Sequence, residues 1–371
     1  EEWKEKRAEI TPAFTPSRIK ALFPLVEEVN KQLVKYIKEN TGKDFKEPLE
    51  AREICAKFTT DVVSNCIFGI DAKSFTQPNP EIREMGRKIM EFNPFLMFVF
   101  MMYSLVPELA KIHKIKMVSK DIEQFFTKLM NDAVEHRNKN NIKRNDYLAY
   151  LIELREKKNI SPLDMAAHGV TFFIDGFETS SIAISCCLYE LAANKNVQEK
   201  LRKELENVYD KDGKLNHDNL IDNLYLDQVF HEALRLHPPA TIINRECNES
   251  MTIEGIRIEK EMSFNIPIYS IHRDPDHYPH PEKFYPERFD PENGGVKAYR
   301  DKCVLLPFGD GPRICLGMRF ALMQSKAAIA EIVRNFDISV DDKTKLPLEI
   351  DPKQFLNIKT GGLWLNFKPI N

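Results

Sequence analysis

Apolar residues recur with helical spacing through the first two-thirds of the chain. Ile19, Leu22, Val26, Val29, Leu33 and Ile37 form one stripe, with Ser17 as its candidate cap, a kink expected at Pro24 and Gly42 as its stop. Two further helices are predicted from Cys55 to Phe68 and from Glu108 to Arg137. The longest signal runs from Ser161 to about Ala193, with Ser161, Pro162 and Asp164 suited to the cap, first turn and N3 position. At ~1.5 Å per residue such a helix spans ~50 Å, so its middle is central to any internal site. After Leu236 the texture changes. Eight of the 22 prolines fall between Pro238 and Pro291, among short alternating runs such as Met251 to Ile258. Short strands and irregular connections fit this stretch, and also the tail from Phe336 to Asn371 with Gly361-Gly362 as a turn. The prediction is a mainly α chain with a small β portion. One domain is expected over residues 1–371, because no repeat, low-complexity tract or Gly/Ser linker divides it.

Composition narrows the classes. A chain of 371 residues, 43% hydrophobic, can bury a large core. Its net charge of -3 leaves no global footprint for nucleic acid. Seven cysteines at irregular spacings, without a C-x-x-C pair, suggest reduced thiols and a compartment such as the cytosol or a cytosol-facing surface. The chain opens at Glu1 inside a helical pattern and is expected to be a fragment whose N-terminus is missing. The apolar run from Phe92 to Val106 is too short for a span. It reads equally as a buried segment or as a loop dipping into a membrane interface.

The candidate chemistry centres on Pro307-Phe308-Gly309-Asp310-Gly311-Pro312-Arg313-Ile314-Cys315-Leu316-Gly317. Gly311 and Gly317 allow tight turns and close approach of a large ligand. A predicted helix from Arg319 to Phe336 follows, and a thiol at its start is expected to ionise easily. A buried structural cysteine is the plain alternative. A haem held by a thiolate needs the parts found here: an axial sulfur, amides to tune it, and Arg313 to neutralise a propionate.

This loop, 307–317, resembles the haem-binding signature of the cytochrome P450 family, F-x-x-G-x-R-x-C-x-G. Phe308, Gly311, Arg313, Cys315 and Gly317 match each fixed position. Three more segments resemble the family in the right order. Glu232-Ala233-Leu234-Arg235 matches E-x-x-R, and with Pro286-Glu287-Arg288-Phe289 it implies a buried structural Glu-Arg-Arg set. Gly176, Glu178 and Thr179 match the oxygen-binding groove A/G-G-x-E/D-T on the long helix. Trp3 and Arg7 match W-x-x-x-R, and Arg245 occupies the place of another propionate-binding arginine. Asp175 stands where the family has a small residue.

The resemblance implies a P450 fold lacking its N-terminal anchor and first helices, of the animal microsomal type, nearest the insect and vertebrate xenobiotic-metabolising branch. It implies haem b, with Cys315 as iron ligand and Arg313, Arg245, Trp3, Arg7 and Phe308 around it. Thr179 is expected to hydrogen-bond the activated oxygen, Glu178 to relay protons, and Asp175 to affect that relay. The reaction implied is insertion of one atom of O2 into a lipophilic small molecule. Electrons would come from NADPH through NADPH-cytochrome P450 reductase, with cytochrome b5 as an optional second donor, at the cytosolic face of the endoplasmic reticulum membrane. Lys4, Lys6 and Lys326 are expected to attract the acidic reductase. Phe172, Phe173, Phe177, Ala240, Thr241, Ile242 and Ile358 to Gly361 are expected to wall the pocket. Two rivals are a haem-thiolate protein that does not hydroxylate and a helical scaffold with a structural cysteine.

Overall fold

The computed structural model describes residues 2–42, 44–90, 98, 99, 102 and 118–370. The fold is mainly helical with three small antiparallel sheets, as the patterning predicts. Its axis is the central helix Pro162–Ala193. Ser161 caps this helix: its Oγ accepts from the Asp164 N–H at 3.0 Å while its hydroxyl donates to Asp164 Oδ2 at 2.8 Å. This is also the one described helix long and apolar enough to cross a membrane, yet most of its apolar window is buried by neighbouring helices.

Those neighbours are the helices Ala51–Phe68, Lys120–Lys139, Leu224–Leu236 and Met318–Asn335. Close approach is bought with small residues. A Cβ on Gly176 would meet Val63 of Ala51–Phe68 at 3.1 Å, and one on Gly169 would collide with the Met130 methyl. Ala51–Phe68 begins four residues earlier than expected, because Glu50 accepts from the Arg52 and Glu53 N–H groups as its cap.

The first stripe departs from its prediction. It folds as two helices, Pro16–Ala21 and Phe23–Asn40, broken at Leu22. Pro24 takes an early position of the second helix, where its missing N–H costs nothing, so it starts a helix instead of kinking one. Ser17 lies inside the first helix and Thr15 takes the cap position. The helix predicted from Glu108 is described as Lys120–Lys139, and residues 108–117 lie outside the described residues. So does the run Phe92–Val106 apart from Phe98, Val99 and Met102.

In the proline-rich half, β2 (Ile243–Glu246) pairs with β5 (Ser263–Ile266), and β3 (Met251–Ile253) turns back on β4 (Ile256–Ile258). The tail forms β6 (Phe336–Val340) and β7 (Trp364–Pro369), with β1 (Leu49–Glu50) added on the far edge of β7. Gly362, at φ 81°, lets the chain turn into β7, so that the Leu363 N–H reaches Glu50.

Candidate active site

Between the central helix and the cysteine loop lies a cleft of about 650 Å³. The helix wall follows from its periodicity. His168, Thr171, Phe172, Asp175, Gly176, Thr179, Ser180 and Ala183 recur at three- and four-residue steps and share one face. Phe173 and Phe177 share a different face. They stack on each other at 5.2 Å, and Phe173 packs on Phe126, so both belong to the core and not to the cleft as expected. The expected wall residues Thr241, Ile242 and Ile358 to Gly361 also stay out of the cleft. Ile242 is exposed just before the strand Ile243–Glu246, and Ile358 and Lys359 line a separate small crevice. Ala240 and Phe172 do line it, with Phe172 edge-to-face on Phe320 at 5.0 Å.

The loop wall is built by left-handed backbone at Gly309 and Gly311, φ 67° and 71°. Gly317 is not left-handed, and a Cβ there would meet nothing within 4 Å. Its value lies in leaving space beside the sulfur. The Cys315 N–H donates to the Phe308 carbonyl at 2.8 Å, which closes the loop and leaves the thiol open to the cleft, just before the helix Met318–Asn335. The expectation of an easily ionised thiol is not met. Burial pushes the Cys315 thiol up and the Asp175 charge adds to this, outweighing a hydrogen bond from the Gly317 N–H and the pull of Arg7. The helix start alone does not offset that desolvation. The other six cysteines are free, five of them buried.

Three guanidinium groups converge on the same cleft. Arg313 stacks over Trp3 at 3.9 Å, with Arg7 5.7 Å from the same ring. Arg7 donates to the Ile314 carbonyl at 2.7 Å, tying the helix Glu2–Ile10 to the cysteine loop. Arg245, on β2, stands beside Gly309 and donates to the Asn244 carbonyl. Among the described residues no carboxylate pairs with any of the three. Phe308 lines the cleft beside them. Nor do the described residues gather three or more His, Cys, Asp or Glu side chains able to hold a metal ion. A metal at Cys315 would take its other ligands from a non-protein partner. One open thiol, a glycine-framed gap and three acid-free arginines fit a flat, iron-bearing dianion such as haem.

The three expected catalytic residues divide between faces. Thr179 and Asp175 reach the cleft, the Thr179 hydroxyl donating to the Asp175 carbonyl at 2.7 Å. Glu178 does not. It is buried on another face and receives Arg52 Nη1 at 2.6 Å. Arg52, from the neighbouring helix, had no signal in the sequence. Gly176 lines the cleft and also packs against Val63.

The E-x-x-R pair forms as implied. Arg235 Nε and Nη2 both reach Glu232 at 2.8 Å in full burial, and Arg288 Nε approaches Glu232 at 3.4 Å. His272, which the sequence reading did not single out for a role, joins this set to the cysteine loop. It accepts the Leu306 N–H and faces the Arg235 carbonyl. Lys326 departs from its expected role. It is 2% exposed and held by Asp227 Oδ1 at 2.7 Å and the Ile221 carbonyl, so it offers no surface charge. Lys4 is exposed, and Lys6 is engaged with Glu9 and Asp164.

Comparison with known proteins agrees with this geometry. A family model described as Cytochrome P450 matches residues 1–365. The chain is 38% identical to Cytochrome P450 6a2 of Drosophila melanogaster, covering 99% of this chain and 75% of that protein. It is 38% identical to Probable cytochrome P450 6a14 of the same fly, covering 100% and 76%. It is 34% identical to Cytochrome P450 6k1 of Blattella germanica, covering 98% and 74%. The chain thus spans about three-quarters of the length of these relatives, and it belongs to the cytochrome P450 family as a monooxygenase of the insect microsomal type.

Proposed function

We propose that this cleft holds haem b, which the Cys315 thiolate would bind through its iron and Arg7, Arg245 and Arg313 would bind through its propionates. The observation that carries the reading is the open Cys315 thiol framed by three arginines without acid partners among the described residues. When bound, the haem supplies activation of O2 and insertion of one oxygen atom into the substrate. Trp3 orients Arg313 and Arg7 by stacking, and Phe308 and Phe320 keep water from the loop side. A bound iron cation would favour the thiolate, against the desolvation that raises the Cys315 pKa.

Protons enter from the opposite face of the helix. Arg52 is partly exposed and holds Glu178, and Thr179, the next residue, presents its hydroxyl to the cleft. Glu178 delivers protons from the solvent side, and Thr179 hands them into the cleft. The largely apolar walls suit a lipophilic small molecule. Electrons come from NADPH through NADPH-cytochrome P450 reductase, with cytochrome b5 as an optional donor, at the cytosolic face of the endoplasmic reticulum. Exposed Lys4 is the candidate reductase contact that the fold leaves available.

The test is a reduced, CO-bound difference spectrum of the full-length protein, followed by NADPH consumption with reductase and a lipophilic panel. A thiolate-type Soret band with product formation is expected. Absence of that band would end the haem-thiolate reading, and a band without turnover would leave a haem protein of another kind.

A further inference from the structure

Gln324 joins the helix that follows the cysteine loop to the stretch of the central helix that faces that loop. It lies on Met318–Asn335, whose start adjoins Cys315, and it is fully buried. Its Nε2 donates to Ser180 Oγ at 2.8 Å and to the Gly176 carbonyl at 3.2 Å. Gly176 and Ser180 both line the cleft and bracket Thr179 in the chain. The Thr179 hydroxyl already takes the Asp175 carbonyl, so two successive carbonyls of one helical turn carry side-chain donors. Such donors compete with the helix's own N–H groups and let the turn shift locally. Val63 backs the same turn from another side, 3.1 Å from a Cβ built on Gly176. The turn that presents Thr179 is therefore held from outside the central helix. Stability alone does not call for an amide here. Gln324 Oε1 is buried with no hydrogen-bond partner among the described residues, as is the Oγ of Ser325. A half-paired buried amide costs free energy that an apolar side chain would not.

We infer that Gln324 is a positioning residue, which sets the separation between the Cys315 thiol and the Thr179 hydroxyl by tying their two supports together. The inference rests on the haem-monooxygenase reading of this cleft and names a further residue for that reaction. The space between those two groups is the space that haem and O2 have to share. Gln324 does not line the cleft, so it acts through Gly176 and Ser180 and touches none of the reacting groups. Placement at this scale matters: a displacement of ~1 Å can cost ~100-fold in rate. The plainer alternative is a tie that only stabilises the fold. It predicts weaker stability on removal, with the chemistry of the cleft untouched.

The test uses haem-loaded, full-length protein with its reductase, unmodified and as Gln324→Leu, Gln324→Glu and Ser180→Ala. The infrared stretch of CO on the reduced protein reads the space beside Thr179 without turnover. Product formed per NADPH consumed reads the reaction. Gln324→Leu should shift and broaden the CO band and lower product per NADPH by about tenfold. Gln324→Glu, whose buried carboxyl stays protonated and keeps one donor, should fall between. Ser180→Ala should move the band in the same direction, and combined with Gln324→Leu should add little, because both changes cut one tie. A lower urea midpoint with the CO band and product yield unchanged overturns the inference, as do effects of the two substitutions that simply add. If Gln324→Leu fails to bind haem, Ser180→Ala decides: an unchanged band there overturns it as well. A missing thiolate-type band in the unmodified protein would end the haem reading and this inference together, whereas a normal band with any of those results ends this inference alone.

Discussion

His272 couples the Glu232–Arg235 pair to the cysteine loop. Its Nε2 accepts the Leu306 N–H at 2.8 Å while its Nδ1 faces the Arg235 carbonyl at 3.2 Å, which requires the neutral ring with hydrogen on Nδ1. Burial lowers its pKa to about 3 from an ordinary 6.5. The folded protein therefore binds this proton less readily than the unfolded chain. The stability His272 contributes is complete above about pH 6.5 and is lost as pH falls toward 3, on the order of 5 kcal/mol at most. Denaturant midpoints from pH 7 to pH 4 should fall in the native protein. His272→Gln should be weaker at pH 7 yet show a flatter slope. An unchanged slope would remove His272 from the lock.

Glu232 accepts four donors: Arg235 through Nε and Nη2, Arg288 through Nε, and the Tyr285 N–H. Glu232→Gln strands two buried guanidinium groups and should cost about 3–5 kcal/mol, read as a lower urea midpoint and faster haem loss. Replacing Glu232 and Arg235 together with apolar residues should cost less than the sum of the single changes.

Glu178 and Arg52 are expected to act on turnover and not on binding. Glu178→Gln should lower kcat by about a hundredfold with substrate Kd unchanged, as loss of a proton-delivery group does. Arg52→Ala should lower kcat less and raise the solvent isotope effect. If either variant weakens substrate binding in proportion to its rate loss, Glu178 belongs to the binding site instead.

Lys326 and Lys4 separate stability from partner binding. Lys326→Ala breaks a buried pair with Asp227 and should cost about 3 kcal/mol, leaving the salt dependence of reductase coupling as it was. Lys4→Glu should leave stability within about 0.5 kcal/mol and raise the KM for reductase, most visibly at low ionic strength.

Much of this was legible before any coordinates. Ser161, Pro162 and Asp164 mark a helix start through local hydrogen bonds, and the observed helix begins there. The spacings of Phe308, Arg313 and Cys315, and of Glu232 and Arg235, are likewise local. A loop or a helical turn brings such residues together whatever surrounds it. The even spacing of the first stripe gave no hint of the break at Leu22, because Pro24 serves a kink and a helix start equally well.

What the sequence determined by itself is the chemistry carried within short segments: the framed thiol, the paired carboxylate and guanidinium, the helix bearing Gly176 and Thr179. Only tertiary structure decided which way each side chain points. A helix has several faces, and neighbours choose among them. The core took Phe173 and Phe177, Arg52 turned Glu178 away from the cleft, and Asp227 buried Lys326. Asp175 was left on the cleft face, with no ion pair to a cation among the described residues.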